Sequence, residues 1–275
     1  MIRLDIRSFE EWRDAARDLA SRDISPDQIL WGEALFGDPY HPETTNTPLR
    51  VPKRFLDVAA TVAMHRDETK WALLYRILFR LTHGERDLLD IEIDDDVRKL
   101  ALMDKAVRRD IHKMRAFVRF RQVRDDDGET FIAWYEPDHL IVEANARFFK
   151  DRFGAMRWAI LTPDASVSWN LREIRTGPGM PRSSAPTDDQ LEDLWRAYYA
   201  SIFNPGRLNL RVMRQELPTR FWHTLPEAQI ISELALTANA RVTDMAARQP
   251  RSALEFMPAD RSLPSLRAAV QRCEA

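Results

Sequence analysis

The hydrophobic pattern of the middle of the chain, residues 98–139, changes its period once and predicts a helix followed by a β-hairpin. Apolar residues first recur at spacings of three and four, which is typical of one buried helix face. From Ala116 they alternate, and Asp125 to Gly128 supply turn residues before the chain returns through 131–136. The predicted helix stripe consists of Leu100, Met103, Val107, Ile111 and Met114.

Strand and helix patterns on either side of this segment predict an α+β fold. A short strand at the start precedes a helix that Ser8 caps, and residues 54–65, 68–81 and 137–153 predict three amphipathic helices. Residues 156–162 and 166–174 predict two more strands. We expect a small, mainly antiparallel sheet packed by several amphipathic helices, with a helical C-terminal part.

Proline, glycine and serine mark the expected boundaries. The stretch 176–189 reads as a linker between a sheet-containing part, 1–175, and a helical part, 187–248. Together these form the predicted domain 1–248, which a second linker, 249–264, follows. Residues 265–275 predict a helix too short to bury its own apolar face, so we expect the natural protein to continue beyond Ala275.

Charge is concentrated on the predicted helix and hairpin. Between Arg98 and Arg124 ten lysines and arginines face two acids, a formal +8 in a chain whose total is −2. This density predicts phosphate contacts, although a solvated helix face is the alternative. The candidate nucleic-acid-binding residues are Lys105, Arg108, Arg109, His112, Lys113, Arg115, Arg119 and Arg121.

Aromatic residues on and near the hairpin allow a second kind of contact. Phe131, Trp134, Tyr135 and Trp158 could stack exposed bases, whereas alternating aromatics on strands are more often core. Composition otherwise predicts a globular cytoplasmic protein with no membrane partner, because no apolar run approaches the roughly 18 residues of a membrane helix.

Metal and cofactor chemistry has little support within the chain. The only cysteine, Cys273, can build neither an internal disulfide nor a metal site by itself. An acidic run, 85–96, could hold a divalent cation, but Asp94 to Asp96 also stand where the cap of the basic helix belongs. We predict the cap, and no metal or cofactor in this chain.

Three residues are candidates for proton transfer. His112, Glu136 and His139 could act as base and orienting carboxylate, although a histidine on a cationic helix is more often a phosphate or carbonyl donor. The pentapeptide Gly37-Asp38-Pro39-Tyr40-His41 is similar to the water-activating loop of uracil-DNA glycosylases without its glutamine. We interpret that likeness as chance.

Longer motifs carry a family resemblance from about residue 2 to 236. They are RRDIHKMRAFVRF, FIAWYEPDH, FFKDRFGAMRWAILTPDASVSWN, LEDLWRAYYASIFNPGRL and RFWHTLPEA. The chain resembles an uncharacterised DNA-metabolism family whose members occur fused in front of uracil-DNA glycosylase domains or encoded beside a radical-SAM protein. The resemblance implies a pathway, uracil or base-excision repair, and no particular reaction.

The last residues, LRAAVQRCEA, resemble the opening helix of iron–sulfur uracil-DNA glycosylases, which include the X-type uracil-DNA-binding proteins. The resemblance implies that Cys273 is the first residue of a Cys-x-x-Cys pair and that a longer parent protein holds a 4Fe-4S cluster. The glycosylase active site would then lie outside this chain.

Three functions follow as hypotheses. The first is a DNA-facing accessory domain of a uracil-DNA glycosylase-like repair protein, which is not itself catalytic and binds backbone through the basic helix and hairpin. The second is an enzyme that acts on a nucleotide or modified base through His112, Glu136 or His139. The third is a protein-interaction module whose partner is the radical-SAM protein or a glycosylase domain.

Overall fold

A computed structural model of the chain describes residues 1–32, 49–125, 128–184, 222, 258, 260 and 262–272. It divides into two compact units, Met1–Asp189 and Gln190–Ala275. Nearly all described residues belong to the first unit, which contains the basic helix and the predicted sheet.

The first unit begins with a small parallel strand pair and three helices. Strand β1 (Ile2–Leu4) pairs with β2 (Ile29–Trp31), and helix α1 (Phe9–Ser21) connects them. Ser8 caps α1 as predicted, because its hydroxyl accepts a hydrogen bond from the Glu11 amide. Helices α2 (Lys53–Val62) and α3 (Thr69–Thr82) follow. Their buried faces form the main core with Leu4, Trp12, Leu19, Phe55, Trp71 and Leu74.

The basic segment forms one long helix, α4 (Asp95–Phe117), after a cap at Asp94. The Asp94 carboxylate accepts from the amides of Asp96 and Val97, which confirms the predicted cap. Its buried residues are Val97, Leu100, Met103, Val107, Asp110 and Met114. The predicted stripe is therefore confirmed at four positions, but Asp110 is buried where Ile111 was expected, and Ile111 is half-buried.

A five-stranded sheet follows α4 and confirms the α+β prediction. Its strands are β3 (Arg121–Asp125), β4 (Gly128–Trp134), β5 (Trp158–Leu161), β6 (Ala165–Trp169) and β7 (Ile174–Pro178), in that spatial order. Three of the four pairings are antiparallel, and β4 and β5 are parallel. Helix α5 (Val142–Arg152) lies between β4 and β5 in the chain, as a parallel pair requires a crossover.

One face of this sheet packs against α5. Phe131, Trp158 and Trp169 lie opposite one another in the register, and the Phe149 ring of α5 lies 6.2 Å from that of Trp158. Tyr135 and Trp158 are only 2% and 1% exposed. These two aromatics are core residues, so the stacking role considered for them is wrong; Phe131 and Trp134 are half-buried.

The structure differs from the sequence prediction at several element boundaries. Helix α4 continues to Phe117 and β3 begins only at Arg121, although the alternating pattern predicted the strand from Ala116. The second predicted strand ends at Trp169 in the structure, and a separate strand, β7, begins at Ile174 and extends to Pro178, inside the predicted linker, because it pairs with β6 from Ala165 to Trp169. Helix α5 begins at Val142 instead of near Pro137. The preceding amides of His139 and Leu140 donate to the Asp110 carboxylate and the Met64 carbonyl, which holds this stretch out of the helix.

In the second unit the described residues consist mainly of helix α6 (Leu263–Arg272), which confirms a helix at the predicted C-terminal position. Val270 on this helix is 75% exposed. The predicted helical part 187–248 lies outside the described residues except for Trp222. Within the described part of the chain, no helix is both long enough and apolar enough to cross a bilayer.

Candidate functional site

The exposed side of α4 carries most of the residues predicted to contact phosphates. Five of them are exposed, and we call these the cationic stripe: Lys105, Arg108, Arg109, His112 and Arg115. Lys113, Arg119 and Arg121 are half-buried. The helix thus separates an apolar buried face from a cationic exposed one, as its sequence predicts.

Hydrogen bonds orient several of these side chains. Arg108 donates to both carboxylate oxygens of Asp104, at 2.8 and 2.9 Å, and this pairing raises the pKa of Arg108. The Arg115 Nε donates to Asn145 Oδ1 at 2.8 Å, and its guanidinium lies 4.7 Å from the Phe148 ring centre. Arg119 Nη1 donates to the Ala116 carbonyl at 2.8 Å, so this guanidinium satisfies the end of α4.

Two histidines lie in contact beside α4. The imidazole rings of His65 and His139 have centres 4.3 Å apart. The Asp67 amide donates to His65 Nδ1 at 3.1 Å, and the Arg66 amide donates to His139 Nδ1 at 3.4 Å. A nitrogen that accepts a hydrogen bond carries no proton, so each neutral ring holds its proton on Nε2.

The environment of this histidine pair favours the uncharged rings. Burial, followed by the neighbouring His65, lowers the pKa of His139 to about 4. Burial also lowers the pKa of His65. Both rings are therefore neutral at physiological pH and can serve as hydrogen-bond groups without adding positive charge.

Hydrogen bonds from Arg66 connect the turn between α2 and α3 to the sheet. Its guanidinium donates to both carboxylate oxygens of Asp164, at 2.6 and 2.8 Å, and to the Asp138 carbonyl at 3.1 Å. The Asp164 carboxylate raises the pKa of Arg66. Since Asp164 lies in the turn between β5 and β6, these bonds fix the histidine pair between the helices and the sheet.

The structure does not join the three predicted catalytic residues by hydrogen bonds. Within the described residues His139 bonds to Arg66 and Asp110, while His112 and Glu136 are exposed on the surface. The catalytic role of the three stays a prediction. Sequence reasoning missed His65 and Asp110, although Asp110 stands three residues after Val107 and four before Met114, at a core position of the helix.

The acidic run before α4 forms ion pairs with arginines. Arg80 lies 2.8 Å from both the Glu85 and the Asp94 carboxylates, and Arg76 lies 2.8 Å from Asp96. Across the described ranges no group of three histidine, cysteine or acidic side chains could hold a metal ion. The Gly37 to His41 pentapeptide and Cys273 lie outside the described residues, and their roles stay predictions.

The family model of a domain of unknown function, DUF4130, matches residues 68–227, more than half of the chain. The chain belongs to this family. No curated protein and no solved structure matches it. The DUF4130 region runs from α3 through the whole sheet, so it includes the cationic stripe, Asp110, His139 and Asp164. His65 and Arg66 stand just before it.

Proposed function

We propose that this DUF4130 protein is a DNA-facing accessory domain of a uracil-DNA glycosylase-like repair protein. The cationic stripe binds the nucleic-acid backbone, and a glycosylase domain in cis or a radical-SAM protein in trans supplies the base chemistry. The exposed position of all five stripe residues on one helix carries this proposal.

The geometry of α4 suits a polyanion. A helix of 23 residues is about 34 Å long at 1.5 Å per residue, so the stripe can follow several successive phosphates. Of the two acids among its residues after Arg98, Asp104 pairs with Arg108 and Asp110 is buried against His139. The exposed side of the helix therefore keeps a net positive charge.

Orientation of the side chains supports the same function. Arg115 and Arg108 are held by protein partners before any ligand arrives, which lowers the entropy lost when they contact a phosphate. An arginine paired with one carboxylate still presents the remaining N–H groups of its guanidinium. Backbone contacts of this kind position a protein on DNA without reading its sequence.

A salt series of DNA binding tests the proposal. The variant Lys105→Ala/Arg108→Ala/Arg109→Ala should bind more weakly across unrelated sequences. Its slope of log affinity against log salt should fall by about 2.7 units on a duplex if each side chain meets one phosphate. The matched control, Arg13→Ala/Arg147→Ala/Arg172→Ala, removes three exposed arginines elsewhere and should retain the parent slope.

The rival hypothesis, that the stripe is only a solvated face, gives a different result. In that case both triple variants bind DNA as the parent does at low salt, and the proposal is wrong. Circular dichroism and a thermal melt of each variant show whether the fold is retained, so a folding defect cannot imitate a binding defect.

A further inference from the structure

A cleft of about 420 Å³ opens beside His139. It lies between the start of α1, the end of α2, the stretch that leads into α5 and the turn between β5 and β6. All four segments belong to the first unit. Its volume falls in the lower part of the range of small-molecule sites, about 300–1,000 Å³.

Part of the lining of this cleft is apolar. It includes Phe9 and Met64, which are half-buried, with Leu140, Ile141 and Val142 beside them. Phe9 stacks on Trp12 with ring centres 5.8 Å apart and an interplanar angle of 15°, so its ring is held in place. An aromatic ring and a thioether in the lining suit contact with a flat ring of a ligand.

The polar groups inside the cleft carry no net charge. His139 is neutral, and the Asp164 carboxylate is compensated by Arg66 at 2.6 Å. The first amides of α5, on Val142, Glu143 and Ala144, precede the first intrahelical bond, from Asn145 to Ile141, and have no partner within the described residues. The interior thus offers both hydrogen-bond donors and acceptors.

The rim of the cleft is acidic. Glu10 and Glu143 are exposed, and neither forms an ion pair with another described residue. Arg7, the remaining charged residue of the lining, pairs with Asp5 at 3.1 Å. Two carboxylates at the entrance repel a phosphate that accompanies a ligand.

We propose that this cleft binds a neutral heteroaromatic ligand of nucleoside size, with its ring against Phe9 and Met64 and its polar edge towards His139, Asp164 and the first turn of α5. An uncharged interior disfavours a ligand that carries its own charge, and a mixed set of donors and acceptors matches the edge of a nucleobase. The acidic rim selects the nucleoside over its phosphate ester. None of the residues that line the cleft belongs to the cationic stripe.

Binding of free nucleosides provides the test. Adenosine, cytidine, guanosine, uridine and their 5′-monophosphates are titrated into the full chain by calorimetry and by NMR of the methionine methyl groups. At least one nucleoside should bind saturably, shift the Met64 methyl resonance and bind more tightly than its monophosphate. Glu10→Gln/Glu143→Gln should reduce the difference in affinity between the nucleoside and its monophosphate severalfold, because the variant removes the charges of the rim.

A filling variant locates the ligand. Ala144 is exposed in the lining, so Ala144→Trp should occupy the cleft and weaken nucleoside binding at least tenfold. Ala101→Trp places the same side chain on the exposed side of α4, and this variant should bind the nucleoside as tightly as the parent does. If Ala144→Trp fails to fold, the Met64 shift in the parent still decides the question.

Three results would overturn the proposal. They are that no nucleoside binds saturably, that a bound nucleoside leaves the Met64 methyl resonance unchanged, or that a monophosphate binds more tightly than its nucleoside. A final measurement distinguishes binding of a free nucleoside from binding of a base within a strand. Its probe is an abasic oligonucleotide that carries one normal base. Nucleoside binding retained in the stripe triple variant supports an independent cleft, whereas its loss there contradicts this inference and leaves backbone binding standing.

Discussion

His139 is held in its neutral form by the fold, and this makes stability depend on pH. Its pKa is about 4 in the folded protein and near 6.5 in an unfolded chain. The unfolded chain therefore binds more protons between these values, and the stabilisation present above pH 6.5 is lost as the pH falls towards 4. After allowance for solvent screening of a half-buried group, we expect a loss of about 1–2 kcal/mol.

Urea unfolding of the parent and of His139→Gln, from pH 7.5 to 4, measures this contribution. Acidic residues also titrate in the range, so the expected result is the difference: the parent should lose more stability than the variant, which cannot titrate at position 139. Parallel curves for the two proteins would contradict a depressed pKa at His139.

Arg66 should contribute to stability beyond an ordinary surface arginine. Arg66→Ala removes both bonds to Asp164 and the bond to the Asp138 carbonyl, and we expect the free energy of unfolding to fall by about 1–2 kcal/mol, a value limited by the partial exposure of the pair. Arg147 is the control, because its nearest carboxylate, on Asp151, is 3.9 Å away. Chemical unfolding should show Arg147→Ala within about 0.5 kcal/mol of the parent.

At the scale of single residues, the sequence predicts the local role of a residue better than it predicts which distant residues the side chain contacts. The pattern predicted the Ser8 and Asp94 caps because a cap and its helix are adjacent in the chain. It did not predict the contact of His65 with His139, since 74 positions separate them and only the packing of α2, α4 and the sheet brings them together. Periodicity places a residue on a face without naming what lies opposite.

Helix α4 depends on its first turn. Asp94→Ala removes the bonds to the amides of Asp96 and Val97 and the ion pair with Arg80, so we expect a loss of about 1–2 kcal/mol in thermal or chemical unfolding. Asp95→Ala, the next residue, removes a carboxylate whose side chain is 94% exposed. Equal destabilisation by the two variants would show that charge near the helix start, and not the cap, is responsible.

The end of β7 leaves no room for a side chain at Gly179. A Cβ there would lie 1.9 Å from the Pro163 carbonyl oxygen, so Gly179→Ala must displace the turn that holds Asp164, and we expect a loss of about 1–3 kcal/mol. Gly177→Ala is a milder control, because its Cβ would meet only the Ser166 hydroxyl at 2.8 Å. A melting temperature for Gly179→Ala no lower than that of Gly177→Ala would contradict this expectation.

The elements were predictable where a single pattern persists over many residues. The 23 residues of α4 and the β3–β4 hairpin have clear periods, and both elements occur, although α4 continues to Phe117 and β3 begins at Arg121, where alternation from Ala116 predicted the strand. The strand β7 was missed as a separate element because its Thr176-Gly177-Pro178 sequence has the composition of a linker. Pairing with β6 makes this segment a strand, although its own residues do not favour one.

At the scale of the whole molecule, we expect that this chain by itself releases no uracil from DNA. Its one cysteine cannot ligate an iron–sulfur cluster alone, and the Gly37 to His41 pentapeptide lacks the glutamine of the glycosylase loop it resembles. Incubation with uracil-containing DNA, followed by an assay for abasic sites, should give the background level. Abasic sites that disappear with His41→Ala would show that the pentapeptide is catalytic.

The single parallel pairing in the sheet joins two groups of strands that helix α5 separates in the chain. β3 with β4 and β5 with β6 and β7 are each local hairpin arrangements, which can form as soon as their own residues leave the ribosome. Only β4 and β5 connect the two groups, and between them lies the whole of α5. We therefore expect the β4 edge of the β3–β4 hairpin to stay unpaired until the crossover and β5 have been synthesised, and an unpaired strand edge favours association with other chains during that interval.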